Sequence, residues 1–370
     1  MHINVFGLAN TIGVLVPFHL LQTFLFIRDL LITPNPYGPV QLAVHPRCGL
    51  FGGPAADVNA GIDLSRFTTI VSFGDSFTDG GKHDGSPLLP PILAPGELFA
   101  GGRSTNGRVW VENIADAIGA RFMDYAVSSA VVNISLWPSN PRPVDFIQQV
   151  SLFRDQSNRL DPDTTLYTVF FGINDWETSH IDGNRLPEAA RDLLGQITLL
   201  AASPTNARNF LITDVYGRGR TSASGEAWLQ AVFDGLGALA AGAGAGTEVD
   251  GPQSVQLGPP APGVVDSPAQ SPLVQLNAAS PPSIASPHAP CLPPLNIAFT
   301  SFAPIWTGVL GPAPGYRAFG YTSTQACVGD GGRVCGDPER TFSWFGGHPS
   351  EATHRIMAEY VQEALVACRI

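Results

Sequence analysis

Three polar residues stand where a chain would hold reactive groups. Ser76 lies in Phe73-Gly74-Asp75-Ser76-Phe77-Thr78-Asp79, directly after the apolar run at 68–74 (TTIVSFG). A serine on a sharp turn at the end of a strand is exposed above the sheet, where a hydroxyl nucleophile belongs. Gly74 permits such a turn. Alone, Gly-Asp-Ser reads more simply as a solvated turn. Asn174 follows a second apolar run, in Phe171-Gly172-Ile173-Asn174-Asp175. Its side-chain amide can donate to a developing oxyanion, although Asn-Asp is also an ordinary turn pair. His348 precedes a final helical pattern, in His348-Pro349-Ser350. Pro349 fixes the chain's entry into that helix and Ser350 can cap it, which holds His348 on a rigid loop. An imidazole with its ordinary pKa near 6.5 can take a serine proton at neutral pH. His2, His19, His45, His83, His180 and His288 have no chemical motif beside them, and His354 falls inside the last helix.

The elements that must position these groups are legible from about residue 65. The runs 68–74, 165–172 (TLYTVFFG), 208–215 (RNFLITDV) and 296–302 (NIAFTSF) predict buried strands. Residues 109–119, 185–203 and 350–367 carry helical spacing. Strands alternating with helices imply a parallel sheet covered on both faces, with the site at the carboxyl ends of the strands. The motifs of Ser76 and Asn174 fall at two of those ends.

The chain has 370 residues, with 20 Lys and Arg against 31 Asp and Glu, for a net charge of −11. Such a surface repels phosphate backbones, so nucleic acid is not an expected partner. None of the five cysteines forms a Cys-x-x-Cys pair. No ligand cluster is visible, and neither a metal nor an organic cofactor is expected. Cys327 and Cys335 fall in a Gly-rich loop and are expected to close a short disulfide. The apolar run 12–27, interrupted by Pro17, His19 and Gln22, is short for a bilayer span. Residues 1–30 therefore read as a signal peptide or signal anchor, which predicts a secreted protein or one held at a membrane by that segment. Residues 236–294 begin with Gly/Ala low complexity, and 251–294 hold 12 prolines and one charged residue, Asp266. Proline at that density forbids regular structure, so this stretch reads as an insertion interrupting one domain at 65–370. Asn133-Ile134-Ser135 is the only Asn-x-Ser/Thr sequence.

The strings FGDSFTDGG, GRSTNGRVWVENIADAIGA, DYAVSSA, FFGINDW and HPSEATHRIMAEYV resemble, in that order, the GDSL or SGNH hydrolases. They look most like the fungal branch that includes carbohydrate esterase family sixteen acetylesterases. The resemblance covers roughly residues 65–235 and 295–370. It implies a three-layer α/β/α, flavodoxin-like fold with about five parallel strands. It also implies Ser76 as nucleophile, His348 as general base, and Asn174 with the backbone N–H of Ser129 as oxyanion donors. The activity implied is a serine carboxylic-ester hydrolase deacetylating a small-molecule or oligosaccharide ester. A lipase-like esterase on longer acyl chains, or a non-catalytic sugar- or ester-binding pseudo-hydrolase, are the alternatives. Phe73, Phe77, Trp176, Trp344 and Phe345 suit sugar stacking or acyl packing, or are simply core. Two positions depart from the family pattern. Ser128-Ser129 stands where the family usually has Gly-Gly, and Phe345 stands where it usually has the Asp that orients the histidine. Either a backbone carbonyl then holds the imidazole, which leaves a Ser76–His348 dyad, or another carboxylate reaches it, and Asp337 and Glu339 are the nearest upstream.

Overall fold

The structure is a computed structural model that describes residues 39–242 and 294–370. Each apolar run named above is a strand: β2 is Thr69–Gly74, β4 Thr165–Phe170, β5 Asn209–Asp214 and β6 Asn296–Ser301. Each helical pattern is a helix: α1 is Trp110–Ile118, α4 Leu186–Ala201 and α7 Glu351–Ala367. All six residues of β4 and of β5 are buried. That is why they read as continuous apolar runs rather than as alternating strands.

Short or weakly patterned elements complete the fold. These are β1 (Val58–Ala60), β3 (Arg121–Asp124), α2 (Phe146–Asp155), α3 (Ile173–Asp182), α5 (Ala223–Ala240), α6 (Ala303–Leu310), β7 (Ser323–Ala326) and β8 (Thr341–Ser343). The main sheet has the order β1-β6-β5-β4-β2-β3. Its five parallel strands therefore run in the flavodoxin-like order, and β1 adds an antiparallel edge beside β6. β7 and β8 form a separate two-stranded sheet. One apolar core lies between one face of the sheet and α2, α4 and α5. The other lies between the opposite face and α1, α6 and α7. This is a three-layer α/β/α architecture.

The domain begins before residue 65. Residues 39–64 supply β1, and Cys48 is disulfide-bonded to Cys368 just past α7, joining positions 320 apart. Nothing in the local spacing of these cysteines pairs them. The expected Cys327–Cys335 disulfide is present. The expected insertion starts too early at 236, because residues 236–240 are the last turn of α5, with Leu236 and Leu239 in the core. Gly/Ala composition concealed that helix, since its apolar anchors are spaced among small residues. The rest of the expected insertion, the expected signal segment and Cys291 lie outside the described residues. Among the described residues, no helix is long and apolar enough to cross a membrane. The Asn133 amide donates to Asp192 (2.6 Å), while its carbonyl oxygen accepts the Ser135 N–H (3.0 Å).

Candidate active site

β2 and β4 pair in register from Thr69↔Thr165 to Gly74↔Phe170, so the turns after them leave the sheet side by side. This is the point where the strand order reverses, and ligands bind in the crevice there. The buried Gln149 of α2 closes both backbone groups of Gly74. Its oxygen accepts the Gly74 N–H (3.0 Å) and its amide donates to the Gly74 carbonyl (2.8 Å). The need for glycine at 74 is spatial. A Cβ there would stand 2.9 Å from Thr78 side-chain atoms and 3.1 Å from the Phe170 carbonyl oxygen. Asp75 stays buried below the turn and its carboxylate accepts the Phe77 N–H (2.9 Å), which leaves Ser76 half-buried and facing outward.

His348 arrives from the far end of the chain. Trp344–His348 is a tight turn in which the Trp344 N–H donates to the His348 carbonyl (2.9 Å) and the His348 N–H to the Phe345 carbonyl (3.1 Å). Gly347 supplies the positive φ (82°) that this turn requires. The Ser350 hydroxyl caps α7 by accepting the Thr353 N–H (3.3 Å). On this support the Ser76 hydroxyl oxygen lies 2.9 Å from His348 Nε2. His348 Nδ1 is buried and has no hydrogen-bond partner among the described residues. Burial, with the nearby Arg218 charge adding to it, holds the His348 pKa below its ordinary value. The Gly346 backbone and the Glu177 carboxylate oppose that shift.

The model of the GDSL-like lipase/acylhydrolase family matches residues 70–230. A comparison with curated proteins finds no match. The family match supports the GDSL/SGNH family and, with the mostly parallel α/β sheet, indicates an ester-bond hydrolase. Ser76, Ser129 and Asn174 fall inside the matched segment. His348 lies beyond it, and the hydrogen bond to Ser76 brings it in on geometry alone.

The Ser128-Ser129 departure has a visible structural consequence. Ser129 adopts φ 72°, the left-handed conformation that glycine takes without strain. The segment is held there by side chains outside it. Asp79 accepts both the backbone N–H and the hydroxyl of Ser128 (2.7 Å each). Arg142 donates to the Ser128 carbonyl (3.0 Å) and Asn140 to the Ser129 carbonyl (3.0 Å). Asp175 accepts the Val132 N–H (3.0 Å) and the Trp137 indole N–H (2.7 Å). The Asn174 amide donates to the Ala130 carbonyl (2.9 Å) and approaches Asp75 at 3.4 Å. Among the described residues, the backbone N–H groups of Ser76 and Ser129 donate to no acceptor. The two unengaged backbone amides can receive an oxyanion, and the Asn174 amide can join them by releasing its long bond to Asp75.

The Phe345 departure is equally plain. The Phe345 ring stands edge-on to His348, with centroids 6.4 Å apart, and packs on Phe99 at 4.9 Å. Neither candidate replacement acid serves His348. The Asp337 carboxylate accepts the Thr322 hydroxyl (3.3 Å), and Glu339 lies in the following turn, with no hydrogen bond from either to His348 Nδ1. Of the five aromatics, Phe73, Phe77, Trp176 and Trp344 are buried in the core, which leaves Phe345 at the rim. Sequence reasoning missed Gln149, Asp79, Arg142, Glu177 and Arg218. Only Asp79, inside the first motif, lay where a local signal pointed. Among the described residues no group of His, Cys, Asp or Glu could hold a metal ion.

Proposed function

We propose that this hydrolase cleaves carboxylic esters through an acyl-enzyme on Ser76. The observation that carries the proposal is the 2.9 Å contact between the Ser76 hydroxyl and His348 Nε2 at the strand-order reversal. His348 Nε2 takes the hydroxyl proton as the oxygen attacks the ester carbonyl. The tetrahedral oxyanion is received by the N–H groups of Ser76 and Ser129 and by the Asn174 amide. Collapse expels the alcohol, to which His348 returns the proton. A water molecule, deprotonated by the same nitrogen, then releases the acid and restores Ser76. Burial and Arg218 lower the His348 pKa from its ordinary value, which favours the neutral imidazole that a general base requires.

The substrate is, on this proposal, an acetylated carbohydrate, as the resemblance to carbohydrate esterase family sixteen acetylesterases implies. Two observations support a small acyl group and a hydroxylated alcohol. The large aromatics near Ser76 are packed into the core, and the pocket beside His348 carries Arg218, Arg220, Thr324 and Ser343. A second reading, hydrolysis of longer acyl esters, is favoured by the exposed apolar loop with Leu89, Ile92, Leu93 and Phe99 next to Phe345. Two disulfides among the described residues support an oxidising compartment, and with it secretion.

The test is labelling by a fluorophosphonate, followed by turnover of acetylated sugars against p-nitrophenyl esters of rising chain length. Ser76→Ala should abolish labelling and hydrolysis at unchanged Tm, and His348→Ala should lose nearly as much, since these groups act as a unit. Wild-type turnover in Ser76→Ala would refute the proposal. Preference for octanoyl over acetyl esters would select the second reading.

A further inference from the structure

The pocket that borders His348 carries a charge opposite to that of the chain. It is lined by Arg218, Arg220, Trp306, Phe342 and Gly347 with His348 itself, in a protein of net charge −11. The Arg218 side chain is only 18% exposed, and its guanidinium lies against the neighbour of His348. A Cβ on Gly347 would stand 3.4 Å from Arg218 Cζ. Arg220 lies over the Trp176 ring, 5.0 Å from its centroid. One carboxylate oxygen serves both guanidinium groups. Glu177 Oε1 accepts from Arg218 Nη2 and stands 3.6 Å from Arg220 Nη2. No other acceptor engages either guanidinium among the described residues. Two cations sharing one anion leave a net positive charge, and a guanidinium presents five fixed N–H donors. Most of those donors have no acceptor among the described residues.

The direction of the chemistry says which part of a substrate would enter. On the acyl-enzyme reading above, on which this inference rests, His348 hands its proton to the departing alkoxide, so the leaving alcohol must lie on the histidine's side of Ser76. That is the side of Arg218 and Arg220. We infer that this pocket is a subsite for a carboxylate carried on the alcohol portion of the ester, so that the substrate class is esters of hydroxycarboxylic acids, acidic sugars among them. Glu177, outside the pocket's lining, holds the two guanidinium groups together, and the substrate carboxylate takes the donors that Glu177 leaves open.

The experiment compares an O-acetylated uronic acid glycoside with the same compound bearing a primary amide in place of the carboxylate. Binding is measured by calorimetry on Ser76→Ala, which cannot turn either over. The acid should bind at least about tenfold more tightly than the amide, as expected for hydrogen bonds to a charged group. Adding Arg220→Gln, at a side chain 64% exposed that the fold does not need, should abolish that difference. Adding Glu177→Gln should widen it, and opposite shifts from two substitutions cannot arise from misfolding. Equal binding of acid and amide, or a difference that survives both Arg218→Gln and Arg220→Gln, overturns the subsite. Turnover by the unsubstituted protein separates the two proposals. Equal kcat/KM on acid and amide leaves the hydrolase standing and removes the subsite. A binding difference without turnover or fluorophosphonate labelling keeps the subsite and removes the acyl-enzyme.

Discussion

Phe345→Asp places a carboxylate beside His348, whose buried Nδ1 has no hydrogen-bond partner among the described residues, and it should raise turnover. During attack the ring becomes an imidazolium that no anion faces directly. A unit charge at the present 6.4 Å separation of the Phe345 and His348 rings, in an effective dielectric near 20, would favour that imidazolium by about 2.6 kcal/mol. Position 345 is half-buried, so solvent screening takes about half of this. What remains corresponds to roughly tenfold in kcat. That is well short of the roughly 10⁴-fold effect of the orienting Asp in the chymotrypsin-type triad, because a carboxylate placed this way is not preorganised. Loss of the Phe345–Phe99 contact should cost about 1 kcal/mol, or about 2 °C in Tm. The assay is kcat and kcat/KM for p-nitrophenyl acetate across pH 4.5 to 9, roughly two units either side of an ordinary imidazole. In the unsubstituted protein, burial and Arg218 place the acid limb of kcat/KM below the ordinary histidine value. The new anion favours the protonated ring, so the limb should move up in Phe345→Asp. A folded variant with an upward-shifted limb but lower kcat would show that His348 needs no facing anion, and an unmoved limb would show that position 345 does not reach the ring.

Two further outcomes follow from the backbone and the core. Ser129→Gly should keep activity, because the backbone N–H remains. It should also gain up to about 1 kcal/mol in stability, since φ 72° strains serine but not glycine; a clear fall in Tm would show that the Ser129 side chain does more than tolerate its position. Burial raises Asp75 to about 8, Asp214 to about 7 and Asp175 to about 6. The folded state therefore binds protons there that the unfolded chain, near 3.8, does not, and stability is lost as pH rises through the folded values. Between pH 8 and 6.5 acidification should add on the order of 2 kcal/mol. Below that, the buried aspartates go on adding stability toward their unfolded value near 3.8, and His354, which burial keeps neutral down to about 3, offsets them only in part. Thermal melts across this range, with Asp214→Asn showing a flatter slope, check the sign, and a Tm that falls from pH 8 to 6.5 would contradict it.

What the sequence carried well is what depends on near neighbours. β2, β4, β5 and β6 are buried on both faces, so their composition alone marks them, and the turns that follow place Ser76 and Asn174 at adjoining strand ends. The Ser350 cap and the Cys327–Cys335 disulfide are local in the same sense. What escaped depends on distant partners. β1 has three residues and exists because β6 offers it an edge. The Cys48–Cys368 disulfide links positions that only the finished fold brings together. Gln149 reads as one polar residue on a helix, yet it fixes the turn before Ser76 through both backbone groups of Gly74. Ser129 looked like a weakness because the neighbours that hold it, Asp79, Arg142 and Asn140, are drawn from elsewhere in the chain. A left-handed serine is sustained when its surroundings over-determine its backbone. The glycine expected there is thus dispensable, because three external side chains do the conformational work that its missing Cβ would otherwise have made easy. No carboxylate replaces the missing acid at Phe345: Asp337 engages Thr322, neither it nor Glu339 bonds His348, and Nδ1 has no hydrogen-bond partner among the described residues. The two departures are therefore different in kind: the first is compensated by the fold, and the second leaves the imidazolium of His348 without a facing anion, which a single carboxylate can test.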